Sequence, residues 1–110
     1  MRRNSAVKAL APVFAALGDE TRLELVARLS DGKPLSITQL SSGTPVTRQA
    51  ITKHLHVLAD AGVLRGVRQG RQQLWELTPG QLLEARRCLE RIAGQWDRAL
   101  DRLRAMVEEE

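Results

Sequence analysis

Residues 47–77, TRQAITKHLHVLADAGVLRGVRQGRQQLWEL, change their apolar period once, and that change decides the fold. From Thr47 to Ala61 the apolar residues Ile51, Leu55, Leu58 and Ala59 recur at three- and four-residue spacing, one face of a helix that Thr47 caps and Gly62 ends. Beyond Gly62 the period falls to two. Val63–Val67 and Gln73–Leu77 alternate around a turn at Gly70, which predicts a two-stranded hairpin with arginines near its tip.

Working back from Thr47, Thr44-Pro45-Val46-Thr47 is a turn, and Ser36 caps a short helix through Gln39 and Leu40. Asp19 is the N-cap of an earlier helix whose apolar face is Leu23, Leu25, Val26 and Leu29, with Gly32 as its stop. Before it, residues 5–17 place Val7, Leu10, Val13, Phe14 and Leu17 on one face. Gly18 ends that helix, and Pro12 should bend it. Working forward, Thr78-Pro79-Gly80-Gln81 combines a cap, an N1 proline and a capping-box glutamine at the start of a helix over 79–107. The fold class is therefore mainly α with a small β-hairpin, about five helices and a two-stranded wing in one domain spanning 1–110. A helix-turn-helix occupies 36–61 and the wing 63–77, the layout of a winged helix-turn-helix.

A helix fits the major groove of B-form DNA, and a basic hairpin beside it can reach the backbone or the minor groove. With Ile51, Leu55 and Leu58 turned inward, Arg48, Gln49, Thr52, Lys53 and His56 fall on or near the outer side. Arg48 can address guanine O6 and N7, and Gln49 adenine N6 and N7, while Thr52, Lys53 and His56 can meet bases or phosphates. Thr47 at the helix start, and Arg65, Arg68 and Arg71 in the hairpin, complete the candidate contact set. Single members could equally be solvated helix residues; the set is harder to explain that way. His54 and His56 lie two apart and so on different faces, which excludes a chelating pair.

Composition bounds the function. The 110 residues exclude two full catalytic domains, and 43% hydrophobic with 27% charged residues is the balance of a folding globular chain. The formal charge is +4, concentrated at residues 1–8 and over 44–75, where five cations face Asp60 alone; this favours a polyanionic partner. Three aromatic residues, Phe14, Trp75 and Trp96, are too few for a single-strand stacking platform. Cys88 is the only cysteine, so an intrachain disulfide is excluded and a reducing cytoplasm is the simplest compartment; among Leu82, Ala85, Leu89 and Ile92 it reads as a small buried hydrophobe. Lys8 and Pro12 interrupt the apolar stretch 6–17, against a secretory signal, and no apolar run is long enough for a membrane span. No nucleophile with an orienting base, carboxylate pair or nucleotide loop is evident, so the chain does not read as an enzyme and implies no cofactor.

The chain resembles the ArsR family of winged-helix transcriptional repressors over nearly its whole length. The likeness rests on Phe14-Ala15-Ala16-Leu17-Gly18-Asp19-Glu20-Thr21-Arg22-Leu23, on Thr47 to Leu55 with Leu58 and Ala61-Gly62-Val63-Leu64, and on Arg68-Gln69-Gly70-Arg71. The resemblance implies a cytoplasmic homodimer that binds double-stranded DNA at an inverted-repeat operator and represses its own or a neighbouring operon. It places His54 at a position the family motif keeps as histidine, with a structural or phosphate-contacting role. Metal sensing does not carry over: Leu35 to Ser41 holds no cysteine and the last helix no histidine. An unidentified small molecule or a partner protein is left as the effector.

The last helix carries Leu82, Ala85, Leu89, Ile92, Trp96, Ala99 or Leu100, Leu103 and Val107 in a stripe of about 3.5-residue spacing, too long for so small a core. Pairing with the first helix and a second subunit would bury it, so Leu10, Phe14, Leu82, Leu89, Ile92, Trp96, Leu100 and Leu103 are the candidate dimer residues. Glu108–Glu110 read as a frayed tail. The alternative, from a different class, is a winged-helix module that binds protein and has only non-specific affinity for DNA.

Overall fold

The computed structural model describes residues 2–108, with side chains from Val7 onward. Glu109 and Glu110, in the tail read above, lie outside the described residues. The chain order is α1 (Arg2–Leu17), α2 (Glu20–Arg28), β1 (Leu35–Ser36), α3 (Ile37–Ser41), α4 (Arg48–Asp60), β2 (Leu64–Gln69), β3 (Gln72–Leu77) and α5 (Pro79–Glu108). α1 runs unbroken through Pro12.

Local caps set the helix starts. The Asp19 carboxylate accepts from the Arg22 amide at 3.0 Å, and Thr47 Oγ1 from the Ala50 amide at 3.1 Å. Ser36 and Gln39 form a reciprocal capping box on the five-residue α3. At Thr78 the expected box does not form: its amide instead donates to the Val63 carbonyl, and the Gln81 side chain lies over Gly62. Gly62, at φ 79° where α4 ends, leaves room for that crossing: a Cβ there would stand about 3.0 Å from Gln81 Cγ.

The sheet has three strands rather than the two expected, in the order β1-β3-β2, all antiparallel. β1 is two residues long, Leu35 opposite Trp75 and Ser36 opposite Leu74, and it makes β3 the central strand. Leu74 and Trp75 are both buried, although their side chains leave opposite faces of the sheet. Gln69 pairs with Gln72 across a two-residue loop, with Gly70 at φ 63° as the first loop residue, the position that a type II′ turn reserves for glycine.

The core is one cluster. Leu55 and Leu58 are 0% exposed and Ile51 1%, packed with Val13 and Leu10 of α1, Leu25, Val26 and Leu29 of α2, Leu40 of α3, and Val63 and Leu64. Leu23, expected on the inner face of α2, is 54% exposed, because the core takes the side centred on Leu25, Val26 and Leu29. Arg28 closes the helix-turn-helix from behind, donating to the carbonyls of Gln39 and Leu40 at 2.7 Å each. α5 packs its first turns, through Ala85 and Cys88, on this cluster and then leaves it. Its 30 residues span about 45 Å, and the molecule measures 69 Å along its longest axis.

The Asp19 carboxyl titrates below the usual carboxylate range, chiefly because it accepts the Arg22 amide and also because the Arg22 charge is near. A depressed folded-state value means that its stabilisation is complete above that range and fades as pH falls through it. Asp19→Ala should therefore be less stable than the parent in urea at pH 7, with the gap narrowing at pH 3. A gap that does not change with pH would show that the carboxylate charge contributes nothing.

Candidate nucleic-acid interface

α4 exposes one flank of its first two turns because the opposite flank is sealed in the core. Arg48, Gln49, Thr52, Lys53 and His56 line a single shallow groove together with Ile37 of α3. Thr47 sits at its helix-start end as the N-cap. The α4 N-terminus also presents backbone N–H groups and the positive end of the helix dipole, which attract a phosphate.

Not every side chain in this set is free to move. Arg48 Nη2 donates to Thr38 Oγ1 at 2.8 Å, which holds the guanidinium against α3, and Thr52 Oγ1 donates back to the Arg48 carbonyl at 2.9 Å. Gln49 and Lys53 are exposed. His56 is exposed too, its ring centroid 5.8 Å from that of Trp75 at an interplanar angle of 50°, which places it between α4 and the wing.

His54, read from the sequence as a structural or phosphate-contacting residue, does not line this groove. Its side chain is 24% exposed and turned toward α2, with Nδ1 3.3 Å from Arg22 Nη1 and 3.9 Å from Asp19 Oδ2. It lies at the boundary between the two flanks of α4, where the helical period does not decide a direction. The three wing arginines also separate. Arg65 lies at the base of the hairpin, where Nε donates to Glu76 Oε1 at 2.9 Å across the β2–β3 ladder. Arg68 and Arg71 sit at the tip, exposed, with no ion-pair partner among the described residues.

Sequence reasoning missed Thr38, Glu76, Asp19 and Arg22 as parts of this surface. A signal existed for Glu76: counting outward from a two-residue loop at Gly70 and Arg71 pairs it with Arg65. None existed for Thr38, whose approach to Arg48 depends on the angle between α3 and α4.

A second surface runs along α1 and α5. Val7, Leu10, Ala11 and Phe14 face Cys88, Leu89 and Ile92 across an apolar groove, which continues along α5 as the exposed side chains of Trp96, Leu100, Leu103, Met106 and Val107. Among the candidate dimer residues, Leu10 is 5% exposed and forms the groove floor, and Leu82 is half-buried against the core. Phe14 is half-buried, and Leu89, Ile92, Trp96, Leu100 and Leu103 are exposed. Among the described residues, no three His, Cys, Asp or Glu side chains lie close enough to hold a metal ion. No helix among them is long and apolar enough to cross a membrane.

Comparison with known proteins follows the same lines. A helix-turn-helix domain family matches residues 17–67. An HTH-type transcriptional regulator of Mycobacterium tuberculosis is 35% identical over 97 residues, covering 88% of this chain and 87% of the relative. Among solved structures, an ArsR-like transcriptional regulator from Rhodococcus sp. RHA1 superposes with a TM-score of 0.79 at 38% identity, over 93% of this chain and 95% of that one. The homodimeric winged helix-turn-helix DNA-binding domain from Mycobacterium bovis, at 19% identity and a TM-score of 0.65 over 86% of each chain, shares the fold.

The Arg65–Glu76 pair yields a test. Removing the carboxylate charge with Glu76→Gln should leave the hairpin folded and free Arg65 for phosphate. Binding to any duplex should then tighten a few-fold, with the salt slope steeper by up to about one ion. An unchanged slope would place Arg65 out of reach of DNA.

Proposed function

The chain belongs to the ArsR family of winged helix-turn-helix transcriptional regulators, DNA-binding proteins and not enzymes, and we propose that it is a homodimeric repressor that reads an inverted-repeat operator. The observation that carries this reading is the single groove lined by Arg48, Gln49, Thr52, Lys53 and His56 beside a basic wing. Gln49, Lys53, Thr52 and Arg48, the last held in place by Thr38, choose sequence. Arg68 and Arg71 at the wing tip take phosphate or minor-groove contacts, Arg65 joins them from the wing base, and Thr47 holds the helix end against the backbone.

Dimerisation is supported by the apolar α1–α5 groove and by its continuation over the bare half of α5, where Leu89, Ile92, Trp96, Ala99, Leu103 and Met106 alternate at spacings of three and four. The Mycobacterium bovis domain of the same fold is a homodimer. A twofold axis through this seam presents two α4 helices to successive major grooves about 34–36 Å apart. Regulation of the chain's own or a neighbouring operon in the cytoplasm, without a metal effector, fits a third helix without thiolates and a last helix without histidine.

Fluorescence anisotropy against a duplex from the gene's own upstream region, with a scrambled duplex and a salt series, tests the repressor reading. A preference of about a thousandfold or more is expected for the first duplex. Gln49→Ala should relax preference at one base position by about 1–3 kcal/mol, whereas Arg71→Ala should weaken all duplexes alike. Equal weak binding of the parent to both duplexes would favour the protein-binding alternative. For the seam, Trp96→Asp should give a monomer in sedimentation equilibrium with its circular dichroism intact; a dimer that persists would move the interface away from α5.

A further inference from the structure

We propose that Arg22 and His54 are positioning residues for the DNA-reading helix, with His54 acting through Arg22 rather than on DNA. The inference rests on the reading of α4 as that helix. Three helices meet on the one guanidinium. Arg22 Nε donates to the Ala16 carbonyl in the last turn of α1 at 2.6 Å, and Nη1 reaches His54 Nδ1 of α4 at 3.3 Å. The Arg22 amide is itself fixed by the Asp19 cap at 3.0 Å. A guanidinium carries only donors, so His54 Nδ1 must be the acceptor, and the imidazole proton sits on Nε2.

The need for such a link follows from the packing. Ile51, Leu55 and Leu58 hold α4 in the core by apolar contact, which is non-directional and resists rotation of the helix about its axis poorly. Hydrogen bonds are directional. A contact on the flank of α4, anchored at its far end to a main-chain carbonyl, sets the rotation that aims Arg48 and Gln49. Recognition tolerates about 10–20° of error in that aim. The anchor is on α1, which lines the apolar seam, so the same guanidinium joins the proposed dimer surface to the DNA-reading surface.

Isosteric variants separate this role from a phosphate contact. Asparagine at 54 keeps an acceptor where Nδ1 stands, and glutamine keeps a polar group where Nε2 stands. On the upstream duplex, His54→Asn should bind within about threefold of the parent, whereas His54→Gln and Arg22→Met should each lose about tenfold or more. The double variant Arg22→Met with His54→Gln should lose no more than the worse single one. In the free protein, Arg22→Met should speed amide hydrogen exchange across α4 by about tenfold while leaving α5 unchanged. The idea is overturned if His54→Gln binds like the parent while His54→Asn fails, which would put Nε2 on DNA. It is overturned equally if α4 exchange is unaltered in Arg22→Met. A parent that binds neither duplex tells against the operator reading alone, and the exchange experiment still decides the positioning role.

Discussion

One face of α4 must be sealed before the other can be offered to DNA, and most of the first 78 residues serve that end. Thirteen residues cannot hold a helix in water unaided, so Ile51, Leu55 and Leu58 have to find a complete apolar wall. They find it in α1 and α2 behind, Leu40 of α3 beside, and Val63 and Leu64 where the chain turns into the wing. Truncating such a leucine costs about 2–5 kcal/mol, a large share of the 5–15 kcal/mol typical of a domain. The scaffold is therefore least tolerant of change directly beneath the candidate contact residues of α4.

Above that wall the charges are graded rather than uniform. Arg68 and Arg71 are free, Arg65 shares its charge with Glu76, and Arg48 is tied to a neutral hydroxyl on Thr38. Exposed ion pairs of the Arg65–Glu76 kind contribute only about 0–1 kcal/mol, so a phosphate competes for Arg65 at little cost. The hydroxyl of Thr38 does not neutralise Arg48, but it orders the side chain in advance, and less rotamer freedom is lost on binding. The wing tip thus supplies attraction at a distance, and the α4 groove supplies side chains already arranged.

What could be read from the sequence was local. The caps at Asp19, Ser36 and Thr47 act within three residues, and all three appear in the structure. The change of period at Gly62 located the wing for the same reason. What escaped depends on elements distant in the chain. β1 is two residues long and exists because β3, nearly forty residues later, pairs with it. Leu23 could not be told from Leu25 without knowing which side of α2 faces α4. The Thr78 box satisfied its sequence pattern, yet the Thr78 amide is claimed by Val63 across the hairpin base. In the candidate site, Gln49, Lys53, Arg68 and Arg71 were legible as outward residues. The inward turn of His54 was not, because Arg22, thirty-two positions earlier, supplies its partner.

α5 shows why the two surfaces belong to one design. Its first turns bury Ala85 and Cys88 against the core, Leu89 and Ile92 border the α1 groove, and from Trp96 onward the same stripe continues exposed. Were the helix only a cover for the domain, its apolar stripe would stop where the core stops, since exposed leucines and tryptophan invite aggregation. Charged residues flank the stripe without entering it: Arg91, Asp97, Arg98, Asp101, Arg102 and Arg104 leave positions 89, 92, 96, 99, 103 and 106 apolar. That pattern fits a long seam with polar edges. In the proposed dimer such a seam would fix the distance between two α4 helices through α1, and α1 is the helix whose last turn Arg22 holds while its other guanidinium nitrogen reaches His54. In the operator-bound dimer proposed above, the spacing between half-sites and the rotation of each reading helix would be set by one connected chain of contacts.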